Sequence, residues 1–224
     1  MGSSHRIESP VISKIYDEKL ASVTDLECRN PMNTNSFFKT ALFLDRDGIV
    51  NRDFGYVYQK EKLELVDGII ELIGFFSHKL DHIIVVSNQS GIGRGLYSYE
   101  DWENFNQEIQ IQLNKKGVKI DKFYCCPHLP HISPNKGCDC RKPNSGMLLN
   151  AQKDFSLNLE NSILVGDNIS DIQAAHNAGL LRAYLLTNDN FDFAHHFDKL
   201  EACNVRSLRN ITAIEIMKRR GVLN

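Results

Sequence analysis

Short, nearly continuous apolar runs alternate with amphipathic stretches along this chain, and this alternation constrains the fold more than any other feature. The runs that we predict as β-strands are 40–44, 82–87, 122–126, 162–165 and 182–186. Apolar residues at helical spacing lie between and after them, at 69–76, 102–113, 147–155, 169–178 and 207–219. Apolar runs of this kind are typical of strands buried on both faces. We therefore predict an α/β fold, a Rossmann-like parallel sheet with helices on both faces.

The length and the charge of the chain limit its organisation and its partners. It has 224 residues, with 26 Lys and Arg against 28 Asp and Glu, and a formal net charge of −2. We place one domain at residues 39–224, after an N-terminal extension of residues 1–38 to which we assign no role. The balanced charge excludes binding of nucleic acid through bulk positive charge. Because no apolar run has the length of a membrane span or the character of a signal peptide, we expect a cytoplasmic protein without a membrane partner.

Polar clusters follow three of the predicted strands. They are Asp45-Arg-Asp47-Gly, Ser87-Asn-Gln-Ser-Gly and Gly166-Asp-Asn. Ligands of parallel α/β sheets bind outside the carboxyl ends of the strands, so we expect these clusters to meet there. Asp45 and Asp47 are two residues apart, and an extended backbone points both carboxylates to one side. Two crowded carboxylates repel each other unless a cation lies between them, and oxygen ligands suit Mg²⁺. Asp167, which is followed by Asp171 on the next predicted helix, would complete this oxygen-rich site, so the sequence predicts bound magnesium.

The cysteines predict a second metal site. Four of the six, Cys125, Cys126, Cys138 and Cys140, lie within sixteen residues, together with His128 and His131. In a reducing compartment such a cluster favours a metal over disulfides. A set of three thiolates and one imidazole suits a closed tetrahedral zinc site, which would be structural. The spacing alone leaves Cys125 and His131 open as alternative ligands.

Four motifs resemble, in order, those of the haloacid dehalogenase superfamily of phosphatases. They are Phe43-Leu-Asp-Arg-Asp-Gly-Ile-Val-Asn51, Ser87-Asn88, Lys142-Pro143 and Gly166-Asp-Asn-Ile-Ser-Asp171. Within that superfamily, three further segments are similar to the D-glycero-D-manno-heptose 1,7-bisphosphate 7-phosphatase family. These segments are Phe54-Gly-Tyr-Val57, Asn88-Gln-Ser-Gly-Ile-Gly-Arg-Gly95, and Cys126-Pro-His128 with Cys138-Asp-Cys-Arg-Lys-Pro143. The resemblance covers about residues 40–187.

The resemblance implies a catalytic role for each matching residue. Asp45 would be the nucleophile that forms an aspartyl phosphate, and Asp47 the acid that protonates the leaving oxygen and then the base that activates water. Ser87 would bind the phosphate, and Lys142 would neutralise its charge. Mg²⁺ would be held by Asp45, Asp167 and the backbone carbonyl of Asp47.

The resemblance also implies the remaining ligands. Asn51, Asn88 and Arg141 would bind the substrate. The zinc ligands would be Cys126, His128, Cys138 and Cys140, in a loop of residues 126–140, while Cys125 would end its strand facing the core. Asp171 is left out of the catalytic set, because an acid at a helix start also favours the helix macrodipole.

The predicted substrate follows from the loops around the site. The sequence has no insertion after Asn51 or Ser87 that is long enough for a separate cap domain. An uncapped site can admit a sugar with a second phosphate, and Arg141 is suited to hold that anion with two donors. The resemblance therefore implies a sugar bisphosphate substrate in the biosynthesis of nucleotide-activated heptose, and a monomeric enzyme.

Two alternative functions fit parts of the pattern. Histidinol-phosphate phosphatase has a similar scaffold and zinc loop, but Gly55-Tyr-Val57, Gly93-Arg-Gly95 and Ser145-Gly-Met147 fit the heptose enzyme better. A non-catalytic, zinc-stabilised binding module would have no need of crowded carboxylates. The chain departs from the family pattern at Ser87, where Thr is frequent, and at Asn168, where a basic residue is frequent, so the details of substrate binding stay open.

Overall fold

A six-stranded parallel sheet forms the centre of the fold. The computed structural model describes residues 38–130, 137–193 and 196–221. The strands lie in the order β3-β2-β1-β4-β5-β6, and every neighbouring pair is parallel. Their bounds are β1 Ala41–Leu44, β2 His82–Asn88, β3 Lys122–Cys126, β4 Ile163–Gly166, β5 Arg182–Leu186 and β6 Glu201–Val205. The helices are α1 Ile69–Ser77, α2 Ser90–Gly93, α3 Tyr99–Asn114, α4 Gly146–Phe155, α5 Ile169–Asn177 and α6 Leu208–Arg219.

Helices cover both faces of the sheet, so two apolar layers form. On one face Leu42, Leu44 and Val165 pack with α1, α3 and α6. On the other face Phe43, Leu164 and Ile84 pack with α4 and α5. Successive residues of a strand point to opposite faces, which is why the central strands carry apolar residues at every position.

The strand order reverses between β1 and β4: β2 and β3 follow on one side of β1, and β4, β5 and β6 follow on the other. β1 pairs with β2 on one side and with β4 on the other, through Leu42 with Ile163 and Leu44 with Val165. In doubly wound sheets a crevice opens at the carboxyl ends of the strands beside such a switch point. The residues directly after β1 and β4 therefore face a common crevice.

The observed elements agree with most of the sequence predictions. β3 and β5 have the predicted bounds, β1 and β2 differ from the prediction by one residue at one end, and β4 is shifted by one residue at both ends. Ser98 and Asp101 form a capping box at the start of α3, where each side chain accepts a hydrogen bond from the backbone N–H of the other residue. Between β1 and α1 the described chain contains one short 3-10 turn, Lys60–Lys62, and isolated β-bridges at Asn51, which is too little structure for a separate cap domain.

Three expectations need correction or lie outside the described residues. We missed β6, because its sequence Glu-Ala-Cys-Asn-Val at the sheet edge has no continuous run of large apolar residues. The helix predicted at 207–219 is observed as α6, but its apolar residue Met217 is 38% exposed, and Glu215 is buried instead. Our N-terminal extension lies outside the described residues except for Phe38, as does His131, and the domain boundary stays a prediction. None of the described helices is long and apolar enough to cross a membrane.

Candidate active site

A polar cavity of about 510 Å³ opens at the carboxyl ends of the central strands. Seven of the residues predicted from the sequence line it: Asp45, Asp47, Ser87, Asn88, Arg141, Lys142 and Asp167. Residues without a predicted catalytic role also line it, among them Asp53, Tyr56, Gln89, Tyr97, Ser170 and Asp171. The sheet topology thus brings together groups that are separated by more than a hundred residues in the chain.

Lys142 joins two buried carboxylates at the floor of the cavity. Its Nζ lies 2.6 Å from Asp45 Oδ1 and 2.5 Å from Asp171 Oδ1, and it also donates to the carbonyl of Val86 at 2.7 Å. Burial raises the pKa of Asp45, although the ammonium of Lys142 opposes that shift, and the neighbouring Asp171 adds to it. Burial acts against the charge of Lys142, but the two carboxylates outweigh it and raise the pKa of Lys142. Two buried acids with one cation leave an excess of negative charge.

Asp167 adds a third carboxylate to this floor. A single ion could contact Asp45, Asp167 and Asp171, since one carboxylate oxygen of each lies within 4.8 Å of the others. Partial burial, with a further contribution from Asp171, raises the pKa of Asp167 to about 6. A divalent cation bound between crowded carboxylates offsets their mutual repulsion and stabilises their ionised forms. This group therefore fits Mg²⁺, which prefers oxygen ligands.

The cation group differs in one member from our sequence prediction. Asp171, which we left out of the catalytic set, belongs to this group of carboxylates, while the Asp47 carboxylate does not. Asp171 also caps α5, because its Oδ2 accepts a hydrogen bond from the backbone N–H of Asn168 at 3.1 Å. In the sequence, the position of Asp171 four residues after Asp167 was the feature that indicated a place in the cation group. Ligation by the backbone carbonyl of Asp47 stays a prediction.

The Asp47 carboxylate, which also lines the cavity, is held by three side chains. Arg46 donates to both of its oxygens, with distances of 2.9–3.1 Å. Asn51 Nδ2 donates to Oδ1 at 3.0 Å, and Gln89 Nε2 donates to Oδ2 at 2.8 Å. Arg46 is itself fully buried, and its guanidinium lies over the ring of Phe105. Asp47 is therefore fixed in orientation while 20% of its side chain stays exposed to the cavity.

The side chains predicted to bind substrate divide into two groups. Arg141 and Ser87 line the cavity, and Arg141 Nη1 also donates to the carbonyl of His128 at 3.2 Å. Asn88 lines the cavity too, but its amide exchanges two hydrogen bonds of 3.0 Å with the backbone of Lys142. Asn51 is fully buried and contacts Asp47, so we revise its expected role from binding substrate to orienting Asp47. Phosphate binding by Asn88 stays a prediction.

A Cys₃His cluster lies beside the active site. The Sγ atom of Cys126 is 3.4 Å from His128 Nδ1 and 3.4 Å from Cys138 Sγ, and Cys140 Sγ is 3.3 Å from His128 Nδ1. Cys125 does not belong to this cluster, in line with the ligand set that the resemblance implied. Burial raises the pKa of Cys126, so a thiolate there needs a compensating cation. Four soft ligands in this arrangement fit zinc, which a closed tetrahedral set binds structurally.

Similarity to known proteins agrees with this geometry. Residues 139–199 match a family model described as HAD-hydrolase-like. A D-glycero-alpha-D-manno-heptose-1,7-bisphosphate 7-phosphatase from Campylobacter jejuni is 43% identical over 163 residues, which cover 72% of this chain and 91% of that protein. The chain belongs to this family of heptose bisphosphate phosphatases. It is therefore a phosphatase, and the alternative of a non-catalytic binding module is wrong.

Two further relatives extend this comparison. A D-glycero-beta-D-manno-heptose-1,7-bisphosphate 7-phosphatase from Helicobacter pylori is 41% identical over 165 residues, or 73% of this chain and 91% of that protein. The crystal structure of the D,D-heptose 1,7-bisphosphate phosphatase from B. bronchiseptica, complexed with magnesium and phosphate, superimposes with a TM-score of 0.65. It is 25% identical and covers 80% of this chain and 99% of that one. The heptose bisphosphate phosphatase family thus includes relatives named for both anomers.

Proposed function

We propose that this phosphatase removes the 7-phosphate of D-glycero-D-manno-heptose 1,7-bisphosphate with the help of Mg²⁺, through an aspartyl phosphate on Asp45. The family membership supports the substrate, since its relatives carry that name. One observation about the chain carries the mechanism: Asp45 lies at the cavity floor in an ion pair with Lys142, beside two further acids.

Asp45 is suited to attack because its carboxylate is buried but paired. A nucleophile must be ionised, and burial alone would keep Asp45 protonated. Lys142 opposes that effect at 2.6 Å and holds the carboxylate in one orientation. An Asp45 oxygen would attack phosphorus, and the bond between phosphorus and the sugar oxygen would break.

Asp47 is suited to manage the protons of both half-reactions. In the first, its proton would pass to the leaving sugar oxygen. In the second, the carboxylate would take a proton from the water that attacks the aspartyl phosphate, which regenerates Asp45 and releases phosphate. Arg46, Asn51 and Gln89 would keep Asp47 aimed at the cavity during both steps.

The remaining groups would bind and neutralise the phosphate. Mg²⁺ held by Asp45, Asp167 and Asp171 would supply positive charge against the phosphate oxygens. Lys142 would add a second positive charge, and Ser87 a hydrogen bond. Arg141 would bind the phosphate that is not cleaved, because its guanidinium reaches the same cavity from the loop of the Cys₃His cluster.

A direct assay tests this proposal. Phosphate release would be measured with each anomer of heptose 1,7-bisphosphate and with histidinol phosphate, in the presence and absence of Mg²⁺. We expect turnover of at least one heptose anomer, dependence on Mg²⁺, and little release from histidinol phosphate. Preference for histidinol phosphate would overturn the substrate, and full activity in chelator without Mg²⁺ would overturn the role of the metal.

The cellular role follows from the substrate. We propose that the enzyme acts in the biosynthesis of nucleotide-activated heptose, in the cytoplasm, with a structural zinc in the Cys₃His cluster, and as a monomer. The zinc would stiffen the loop that leads into Arg141 and Lys142. Size-exclusion chromatography with light scattering tests the monomer, since a dimer would have twice the mass of 25.5 kDa.

A further inference from the structure

We propose that Gln89 and Tyr97 are positioning residues of this enzyme, which together orient Asp47 toward the leaving oxygen and Ser87 toward the phosphate. The inference rests on the proposed function, because it assumes that Asp47 transfers the proton. Neither residue was assigned a role from the sequence. Tyr97 reaches the site only through the folded loop between α2 and α3.

The Gln89 side chain uses both ends of its amide inside the site. Gln89 is 2% exposed. Its Nε2 donates to Asp47 Oδ2 at 2.8 Å and to Ser87 Oγ at 2.6 Å, while its Oε1 accepts from the hydroxyl of Tyr97 at 2.5 Å. A primary amide carries two N–H donors, and here each has a named acceptor. The backbone N–H of Gln89 also donates to the carbonyl of Cys126 at 2.7 Å, which connects it to the Cys₃His cluster.

This arrangement leaves the hydroxyl hydrogen of Ser87 available for a ligand in the cavity. A serine hydroxyl has one O–H donor and can accept hydrogen bonds at the same time. Because Ser87 Oγ accepts from Gln89, its own hydrogen is free to point at an anion in the cavity. The opposite orientation of the Gln89 amide would place Oε1 against the Asp47 carboxylate, where two acceptors would repel each other.

Tyr97 determines which way the Gln89 amide points. Its side chain is buried, stacks on Tyr58 with ring centroids 4.9 Å apart, and lies so close to Gly91 that a Cβ there would overlap its ring. The phenol is therefore confined to one position. Burial raises the pKa of Tyr97 to about 12, so the hydroxyl keeps its proton near neutral pH and can donate to Gln89 Oε1.

The dependence of the rate on the leaving group tests this role. A sugar alkoxide needs a proton as it leaves, whereas p-nitrophenolate is a stable anion that needs little help. We expect Gln89→Met to lower kcat/KM for heptose 1,7-bisphosphate about ten- to a hundredfold, and for p-nitrophenyl phosphate at least tenfold less. Tyr97→Phe removes only the hydroxyl, and we expect the same preference at about three- to tenfold.

A matched variant separates positioning from stability. Tyr184 is also buried, and its hydroxyl donates to Glu215 at 2.5 Å outside the cavity. Tyr184→Phe therefore makes the same chemical change, and we expect it to alter the melting temperature but not the ratio of the two kcat/KM values. An equal loss on both substrates for Tyr97→Phe and Gln89→Met, or no loss for either, would overturn the inference. If Gln89→Met does not fold, Tyr97→Phe alone decides.

Asp47→Asn distinguishes this inference from the proposed function. If Asp47→Asn loses more activity on the sugar bisphosphate than on the aryl phosphate while Gln89→Met and Tyr97→Phe do not, only the positioning role fails. If Asp47→Asn affects both substrates equally, the proposed proton transfer by Asp47 fails, and the positioning role fails with it.

Discussion

Asp45 faces two opposing requirements at the scale of a single residue. It must be buried to attack a phosphate away from bulk water, yet burial disfavours the ionised form that attacks. Lys142, fully enclosed between Asp45 and Asp171, offsets part of that cost. Removing Lys142 would leave two buried carboxylates without their cation, so that substitution affects stability as well as rate, whereas neutralising Asp45 leaves Lys142 paired with Asp171.

We predict that Asp45→Asn leaves less than about a tenth of wild-type kcat, a loss of at least about 1.4 kcal/mol in the barrier. The amide has nearly the same shape but is a poor nucleophile, so we expect the fold to be retained. Steady-state kinetics and circular dichroism check this outcome. Asp154→Asn is the control, because Asp154 is an exposed acid that binds Lys122 and Tyr124 outside the cavity.

Arg141→Ala tests whether the enzyme is specific for a bisphosphate or is a general phosphatase. We expect kcat/KM for heptose 1,7-bisphosphate to fall about ten- to a hundredfold, or about 1.4–3 kcal/mol, with little change for a small monophosphate. Lys142→Ala should impair both substrates, because it serves the transferred phosphate. Arg209→Ala is a suitable control, since Arg209 pairs with Asp67 and does not line the cavity. An equal loss on both substrates for Arg141→Ala would contradict a role in binding the second phosphate.

At the scale of the elements, the backbone after β1 lies so close to the residues after β4 that it restricts the position of the Asp167 carboxylate. Gly48 follows β1 with a φ of +90°, and a Cβ there would overlap the carboxylate of Asp167. Only glycine combines that backbone conformation with the free space that Asp167 needs. The Cys₃His loop has a comparable role for Arg141, whose guanidinium donates to the carbonyl of His128.

We predict that one zinc copurifies with each chain and that Cys138→Ser lowers both the melting temperature and the activity. The sulfur ligand is lost, and the loop that carries Arg141 is loosened. Elemental analysis and thermal unfolding measure the two effects. Cys203→Ser is the matched control, because Cys203 is half-buried in β6 outside the cluster. A zinc-free preparation that is fully active with Mg²⁺ alone would rule out the structural role.

At the scale of the whole molecule, folding brings the carboxylates of two distant segments close together, and their repulsion is an electrostatic cost. Asp45 follows β1, while Asp167 and Asp171 follow β4, and the folded state crowds them together. The pKa of Asp167 is raised to about 6, and that of Asp45 is raised as well. An acid whose pKa is raised by folding stabilises the fold while it is protonated, and this contribution is lost as the pH rises through the folded value.

We predict that Mg²⁺ stabilises the protein more at pH 8 than at pH 5. At pH 5 protons on Asp45 and Asp167 compete with the metal, because the pKa of each is raised, whereas above about pH 6 Asp167 is ionised and available as a ligand. At a Mg²⁺ concentration a hundred times its Kd, the gain is about 2.7 kcal/mol. Thermal unfolding with and without Mg²⁺ at both pH values measures it. We expect Asp167→Asn to reduce the pH difference, and an equal Mg²⁺ effect at both pH values would contradict the prediction.

The sequence by itself determined the α/β class, five of the six strands and seven of the residues that line the cavity. Apolar runs record burial on both faces, and the carboxyl ends of parallel strands meet at one edge, so Asp45, Ser87 and Asp167 could be placed together before the structure was known. The spacing of the cysteines predicted a second metal site, and the resemblance to a known family supplied the ligand set.

Only the tertiary structure decided how the polar side chains pair inside the cavity. An acid at the start of a helix can serve only to cap that helix, so the sequence left the role of Asp171 ambiguous. Its ion pair with Lys142 joins two segments that are distant in the chain. Asn51 was expected to bind substrate but is buried against Asp47. Tyr97 has no motif of its own, and its contact with Gln89 exists only when the segment after α2 folds back over β2. Local sequence patterns indicate which residues are buried and where each strand ends. Hydrogen-bond partners depend on the distances between segments that are far apart in the sequence, and only the folded structure determines those distances.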